Sequence, residues 1–105
     1  MAQSKVEAYI GFCIKSKSVV YGNYAIGLIK SGVHLLIMDE NAANNTKKFA
    51  LKYKKAFSCP LITIKNFHKI INKPECKLIA IRNKSLADAI LKCGNEYEIY
   101  GGGGE

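Results

Sequence analysis

The sequence predicts an α/β protein, a single-domain three-layer α-β-α sandwich around a small mixed, largely parallel sheet. With 105 residues, of which 49% are hydrophobic, the chain has the size of one domain and can bury one core. Segments with helical spacing alternate with short apolar runs along the whole chain. Such alternation calls for crossover connections that place helices on both faces of a largely parallel sheet.

Helices are predicted where apolar residues recur at every third or fourth position. The first helix is indicated by Val6, Tyr9, Ile10 and Cys13. The second opens at Gly22-Asn23 and ends at Gly32, and its predicted buried side consists of Ala25, Ile26, Leu28 and Ile29. The predicted helices cover residues 5–16, 22–32, 45–57, 66–71 and 85–93, with capping side chains for the third supplied by Asn44, Asn45 and Thr46.

Residues 18–21 form a short β-branched run, and strands are predicted at residues 35–38, 61–64 and 78–81. The last three are continuously apolar and bounded by polar or turn residues, which is typical of strands buried on both faces. We assign residues 1–94 to the folded domain and 95–105 to an acidic, glycine-rich C-terminal tail. Residues 101–104 are all glycine and are not expected to pack, whether they are a flexible end or a remnant of cloning.

The chain is strongly basic, with 16 Lys and Arg against 8 Asp and Glu and a formal net charge of +8. Three of the acidic residues follow the last basic residue, Lys92, so that residues 1–92 carry 16 basic and 5 acidic residues and a net charge of +11. The basic character therefore belongs to the folded domain, and we expect an acidic partner.

No apolar stretch is long enough for a membrane span, and the N-terminus lacks the pattern of a secretory leader. We therefore expect a cytoplasmic protein, monomeric and without membrane contact. The four cysteines show no CxxC spacing and lie in apolar segments. Reduced thiols in the core are expected, with a disulfide or a zinc site as the alternative.

Several segments resemble a known family. They are KSVVYGN at 17–23, IKSG at 29–32, LIMDENA at 36–42 and NTKK at 45–48, with CPL at 59–61 and LIAI at 78–81 where the later strands fall. In this order and spacing they resemble the ribosomal protein superfamily typified by the archaeal L-seven-Ae and eukaryotic L-thirty-e proteins, most closely its small bacterial YlxQ-like branch. The resemblance covers residues 6–91 and implies a module that binds kink-turn RNA.

In that family, the start of the second helix and the loop before the last strand contact the RNA. The resemblance assigns the first contact to Gly22, Asn23 and Tyr24, because a helix start offers N–H groups to phosphate and an amide reads base edges. The second contact is assigned to the loop 73–76, which includes Lys73 and Pro74. Phosphates would be held by Lys30, Lys47, Lys48, Lys73 and Lys77.

Each of these assignments has an ordinary structural alternative. Gly22-Asn23 also suits a turn with a helix cap, the lysine-rich helix face suits solvent, and 73–77 suits a surface loop. Tyr21, Tyr24 and Gly27 replace residues that are Gly, Glu and Lys in relatives. The second functional hypothesis is therefore a protein-interaction adaptor on the same fold that has lost specific kink-turn recognition.

Signatures of an enzyme are absent from the sequence. The two histidines are not spaced as metal ligands, and no glycine-rich loop has the form of a phosphate-binding or dinucleotide-binding motif. Asp39-Glu40 at the end of a strand is a weak metal candidate, because two adjacent carboxylates do not complete a coordination shell. We predict no catalytic residue, no metal and no cofactor. The expected partner is structured RNA, ribosomal or ribosome-associated, together with ribosome-associated proteins.

Overall fold

The computed structural model describes residues 4–73 and 75–101. The helices are α1 (Lys5–Lys15), α2 (Asn23–Gly27), α3 (Asn44–Phe57), α4 (Phe67–Ile70) and α5 (Lys84–Leu91), followed by a 3-10 turn at Gly94–Glu96. The strands are β1 (Val19–Tyr21), β2 (Leu35–Asp39), β3 (Leu61–Ile64), β4 (Leu78–Ile81) and β5 (Glu98–Ile99). None of the helices in the described ranges has the length and apolar content to cross a membrane.

The five strands form one mixed sheet in the order β1-β4-β2-β3-β5. Only β2 and β3 run parallel, whereas the β1·β4, β2·β4 and β3·β5 pairs are antiparallel. The prediction of a largely parallel sheet is therefore wrong. The apolar runs correctly indicated burial, since every residue of β2 and β4 is buried, but burial on both faces does not fix the direction of the neighbouring strand.

Helices cover both faces of this sheet, and each face has its own cluster of buried side chains. On one face, α1, α4 and α5 pack against alternate residues of β2, β3 and β4, with Ile10 and Phe67 fully buried. On the other face, α2 and α3 contribute Ile26 and Ala50 to the second cluster. Successive side chains of a strand point to opposite faces of the sheet, so Leu35 and Ile37 of β2 lie on the first face and Leu36 and Met38 on the second.

The second helix is much shorter than its sequence pattern predicts. It ends at Gly27 instead of near Gly32, and residues 28–34 connect it to β2 without regular structure. Leu28, predicted to be buried, is 64% exposed, while Ile26 is fully buried. Glycine is a poor helix former and lies at the last helical position here, so the apolar residues beyond it do not continue the helical face.

The ends of the longer helices also differ from the sequence pattern. Helix α3 begins at Asn44 after Ala43, and no side chain caps its first turn, so the predicted capping by 44–46 is wrong. Because Asn44 is already helical, its side chain cannot act from the cap position. Helix α5 is capped by Asn83, whose side-chain oxygen accepts a hydrogen bond from the Leu86 N–H at 2.9 Å.

The first part of the C-terminal segment is held against the fold. Strand β5 pairs with β3, and the Tyr100 N–H donates to the Leu61 carbonyl at 2.9 Å. The Glu96 carboxylate accepts hydrogen bonds from the backbone N–H groups of Val6, at 2.9 Å, and Lys5, at 3.4 Å. A two-residue strand gives too short a pattern to be predicted. Gly101 is exposed, and 102–104 fall outside the described residues, so the expectation that 101–104 do not pack stays a prediction.

The cysteines behave as the composition predicts. Cys13, Cys59 and Cys76 are buried and Cys93 is partly exposed, and each of the four is a free thiol. Burial raises the pKa values of Cys13 and Cys59 to about 11, so both thiols stay protonated at neutral pH. These side chains serve as small apolar residues of the core.

Candidate nucleic-acid interface

The turn between β1 and α2 is built around Gly22. Its φ of 88° and ψ of 159° belong to a region that side chains other than glycine avoid. The Gly22 N–H donates to the Leu78 carbonyl at 2.9 Å, and its own carbonyl accepts from the Ile26 N–H at 3.1 Å. A Cβ at Gly22 would meet no atom within 4 Å, so the backbone here faces open space. The turn is thus fixed to the start of β4 and accessible from outside.

A groove lies between this turn and the loop that precedes β4. We call it the loop groove; it has a volume of about 460 Å³ and is lined by Tyr21, Gly22, Asn72, Lys73, Glu75 and Cys76. The Lys73 ammonium lies 4.8 Å from the centre of the Tyr21 ring, a cation–π contact across the groove. Lys73 is itself exposed, so its charge remains available to a ligand.

The inner wall of the loop groove is formed by Cys76. Its thiol donates to the Leu78 carbonyl at 3.3 Å, and burial raises its pKa. Burial also raises the pKa of Tyr21, and the neighbouring Cys76 raises it further. Both groups are therefore neutral at physiological pH, and Lys73 and Glu75 are the charged residues of the groove.

Lys77 serves a different purpose from Lys73. Its ammonium lies 3.4 Å from an oxygen of Asp39, which is 4% exposed and is a buried charged residue. The other oxygen of Asp39 accepts from the Asn41 N–H at 2.9 Å. Lys77 therefore compensates a buried charge, which leaves it less free than Lys73 to hold phosphate. Pro74, also assigned to RNA contact, lies outside the described residues.

A second groove runs between α2 and α3, and we call it the helix groove. It consists of two hollows of about 410 and 280 Å³ that share Gly27 and Tyr53. The first hollow is lined by Asn23, Tyr24, Gly27, Leu28, Phe49 and Tyr53. The second is lined by Gly27, Ile29, Lys30, Lys52, Tyr53, Ala56 and Phe57.

The floor of the helix groove is aromatic. Phe49, Tyr53 and Phe57 follow one another along α3, with ring centres 6.0 and 6.1 Å apart. On the opposite side, Tyr24 is 83% exposed and Leu28 64% exposed. The helix groove therefore presents apolar and aromatic surface to solvent.

One hydrogen bond joins the two helices across the groove. The Tyr53 hydroxyl donates to the Asn23 carbonyl at 2.9 Å, which holds the start of α2 against α3. Gly27 makes room for it, because a Cβ at this position would lie 2.9 Å from the Tyr53 hydroxyl oxygen. Any larger side chain at position 27 would have to displace that hydroxyl.

The residues assigned from the sequence thus fall into separate groups. Gly22 and Lys73 meet in the loop groove, while Asn23, Tyr24 and Lys30 line the helix groove. Lys47 and Lys48 lie in the first turns of α3. Sequence reasoning did not assign a binding role to several residues that line the two grooves: Leu28, Phe49, Lys52 and Asn72. Leu28 was missed because its spacing indicates burial, and Phe49 because it lies on the apolar side of the α3 pattern.

A further hollow, of about 330 Å³, has the opposite charge. Its lining includes Glu7, Glu40, Glu96 and Glu98 together with Lys65. Within residues 4–73 and 75–101, no group of three or more His, Cys, Asp or Glu side chains is arranged to hold a metal ion. A polyanion would be repelled here and attracted to the lysine-bearing α3, where no acidic residue occurs.

Comparison with known proteins identifies the fold but no family. No family model matches the chain, and no curated protein matches it. A solved structure of a protein of unknown function from Bacillus halodurans is similar, with a TM-score of 0.73 and 19% sequence identity over 90% of this chain and 100% of that one. At this identity the likeness shows a shared fold alone.

Proposed function

We propose that the chain binds structured RNA with a kink or a bulge, through the loop groove and the start of α2. The partner would be ribosomal or ribosome-associated RNA, and the fold would be the three-layer α-β-α sandwich of the L-thirty-e type. The proposed protein is a cytoplasmic, monomeric and non-enzymatic module that uses no cofactor. Ribosome-associated proteins are its expected neighbours.

The loop groove is the observation that carries the proposal. The resemblance names two segments far apart in the chain as RNA contacts, and Gly22 from one and Lys73 from the other line this single groove. Asn23 and Tyr24 follow at the start of α2. The loop groove offers an open backbone and an exposed ammonium, and the amide of Asn23 follows in the adjoining groove, a combination suited to RNA recognition.

The distribution of charge gives independent support. No acidic residue occurs between Glu40 and Glu75, a stretch that contains all five lysines of α3. Fixed positive charge of this kind attracts phosphate without reading sequence. We therefore expect Lys47 and Lys48 to contribute to affinity for any RNA, and Asn23 to contribute to the choice of RNA.

The test is a titration of the wild type and Asn23→Ala against a kink-turn RNA and a copy in which Watson–Crick pairs replace the sheared G·A pairs. Alanine keeps the backbone carbonyl that Tyr53 binds, so α2 stays in place. We expect wild type to prefer the kink-turn, and Asn23→Ala to lose about 5- to 150-fold in affinity for it, the 1–3 kcal/mol of a base-edge contact. Affinity for the straightened copy should change much less.

The matched controls separate phosphate attraction from base reading. The double variant Lys47→Ala, Lys48→Ala should weaken both RNAs alike and reduce the salt dependence of binding. Lys92→Ala, at the end of α5 on the other face, should leave both affinities unchanged. If wild type binds the two RNAs equally and Asn23→Ala alters neither, kink recognition is refuted and the adaptor function takes its place.

A further inference from the structure

We propose that the helix groove is a second RNA contact, one that holds unpaired nucleotides leading away from the kinked or bulged element. This inference rests on the proposed RNA-binding function and adds a substrate feature to it. The preferred RNA would carry a single-stranded extension next to its kink. The occupant of the groove would be a short run of unstacked bases with its phosphates.

The two grooves are continuous along the chain. Tyr21 and Gly22 line the loop groove, and the next two residues, Asn23 and Tyr24, line the helix groove. A nucleotide strand that leaves the loop groove along α2 would enter the hollow that Tyr24 lines. From there the shared residues Gly27 and Tyr53 lead into the second hollow.

The exposed side chains of the groove suit the faces of nucleobases. Tyr24 is 83% exposed and Leu28, one helical turn later, is 64% exposed, so both hold apolar surface in water. The partly buried Phe49 lines the same hollow. Unpaired bases stack on aromatic rings with little regard to sequence, because every base has an apolar π-face. Covering this surface with bases would remove it from water.

Charge identifies RNA as the occupant in preference to an uncharged apolar partner. Lys30 and Lys52 stand at the second hollow, on opposite sides of the groove, and both are exposed. Neither α2 nor α3 contains an acidic residue. Aromatic rings bordered by lysines on both sides form the arrangement used by proteins that bind single strands, in which rings take the bases and ammonium groups take the phosphates.

The experiment measures the gain in affinity that an unpaired extension gives. A kink-turn hairpin is titrated in three forms: with a blunt end, with six unpaired uridines at its 3′ or 5′ end, and with a duplex extension of the same total charge. For the wild type we expect one of the uridine extensions to raise affinity about tenfold over the blunt form, and the duplex extension to raise it much less. Oligouridine without the hairpin serves as the probe for the helix groove by itself.

The variants are chosen so that the fold survives. Leu28→Ala replaces an exposed uncharged side chain and should remove most of the tenfold gain while leaving affinity for the blunt hairpin unchanged. Lys52→Ala replaces an exposed lysine of α3 and should lower the affinity for the extended RNA more than the affinity for the blunt hairpin. Lys92→Ala, on the other face, should keep the full gain. The readout is the ratio of affinities for extended and blunt RNA. Any loss of affinity at the loop groove affects both RNAs equally and therefore does not change this ratio.

The outcomes separate the two proposals. If the blunt hairpin binds specifically and no extension adds affinity, the inference is overturned while the proposed function stands. If the hairpin is not recognised but oligouridine binds and depends on Leu28 and Lys52, the helix groove is supported and the kink-turn function fails. If an acidic amphipathic peptide binds in a Leu28-dependent manner while oligouridine does not, the groove is a protein-docking site and the inference is refuted.

Discussion

The contact between Gly27 and Tyr53 gives the most direct test of how α2 is held. Gly27→Ala on an isolated helix should stabilise it by up to about 1 kcal/mol, because alanine is the better helix former. Here the added Cβ would lie 2.9 Å from the Tyr53 hydroxyl oxygen, which must then move. That hydroxyl is bound to the Asn23 carbonyl at 2.9 Å, so its displacement breaks the bond between the helices.

The expected magnitude follows from these two opposing effects. Loss of a partly buried hydrogen bond costs about 0.5–1.5 kcal/mol, which offsets half or more of the gain in helix propensity. Gly27→Ala should therefore fall between a stabilisation of about 0.5 kcal/mol and a destabilisation of about 1 kcal/mol. In a Tyr53→Phe background the hydroxyl is gone, and the next nearest atom, Cζ, is 3.7 Å from the new Cβ, an ordinary contact. In that background Gly27→Ala should be stabilising.

The assay is urea denaturation of the four proteins of a double-mutant cycle: wild type, Gly27→Ala, Tyr53→Phe and the double variant. We expect the effect of Gly27→Ala to differ between the two backgrounds by about 0.5–1.5 kcal/mol, the worth of the displaced hydrogen bond. If Gly27→Ala stabilises both backgrounds equally, the hydroxyl does not occupy the space beside residue 27. The account of how Tyr53 holds α2 would then be refuted.

Two further predictions concern the turn at Gly22 and the carboxylate of Glu96. Gly22→Ala should lower the free energy of unfolding in urea by about 1–3 kcal/mol, because alanine is strained at the Gly22 φ of 88°. Gly11→Ala is the control: a Cβ there also meets nothing within 4 Å, but φ is ordinary, so the protein should not be destabilised. Equal effects of the two substitutions would contradict the strain at Gly22. Hydrogen bonds, chiefly the one from the Val6 N–H, lower the pKa of Glu96 from its usual value of 4.5. The ionised carboxylate therefore stabilises the fold above pH 4.5, and this stabilisation is lost as the pH falls through the lowered pKa. Urea midpoints of wild type should therefore exceed those of Glu96→Gln at pH 6, and the gap should shrink near about pH 3; a gap that is the same at both values would exclude the charge as its source.

The sequence predicted the central strands well and their directions poorly. The runs 35–38, 61–64 and 78–81 correspond closely to β2, β3 and β4, because a strand covered on both faces must be apolar at every position. Direction depends on how each connection returns to the sheet, and β4 runs antiparallel to both of its neighbours. An apolar run contains no information about the direction of its strand.

The candidate site was predictable only in part. Gly22 and Lys73 were named through the family resemblance, and both line the loop groove. The separate role of Lys77 depends on Asp39, a residue of another strand, so local reasoning could not supply it. Leu28 was placed in the core by its spacing, yet α2 ends before it and leaves it exposed.

Tyr24 and Gly27, two residues of α2, are structurally connected through Tyr53 of α3. Gly27 gives the Tyr53 hydroxyl room to reach the Asn23 carbonyl, and this bond ties the first turn of α2 to the aromatic row of α3. Tyr24 then lies exposed over the same hollow. Introducing Glu at 24 and Lys at 27 would therefore add charges to a surface whose packing needs glycine. The proposed contact with unpaired nucleotides depends on this groove being aromatic and bordered by lysines, so the double substitution should weaken binding of the extended RNA through the loss of the Tyr24 ring and the displacement of Tyr53.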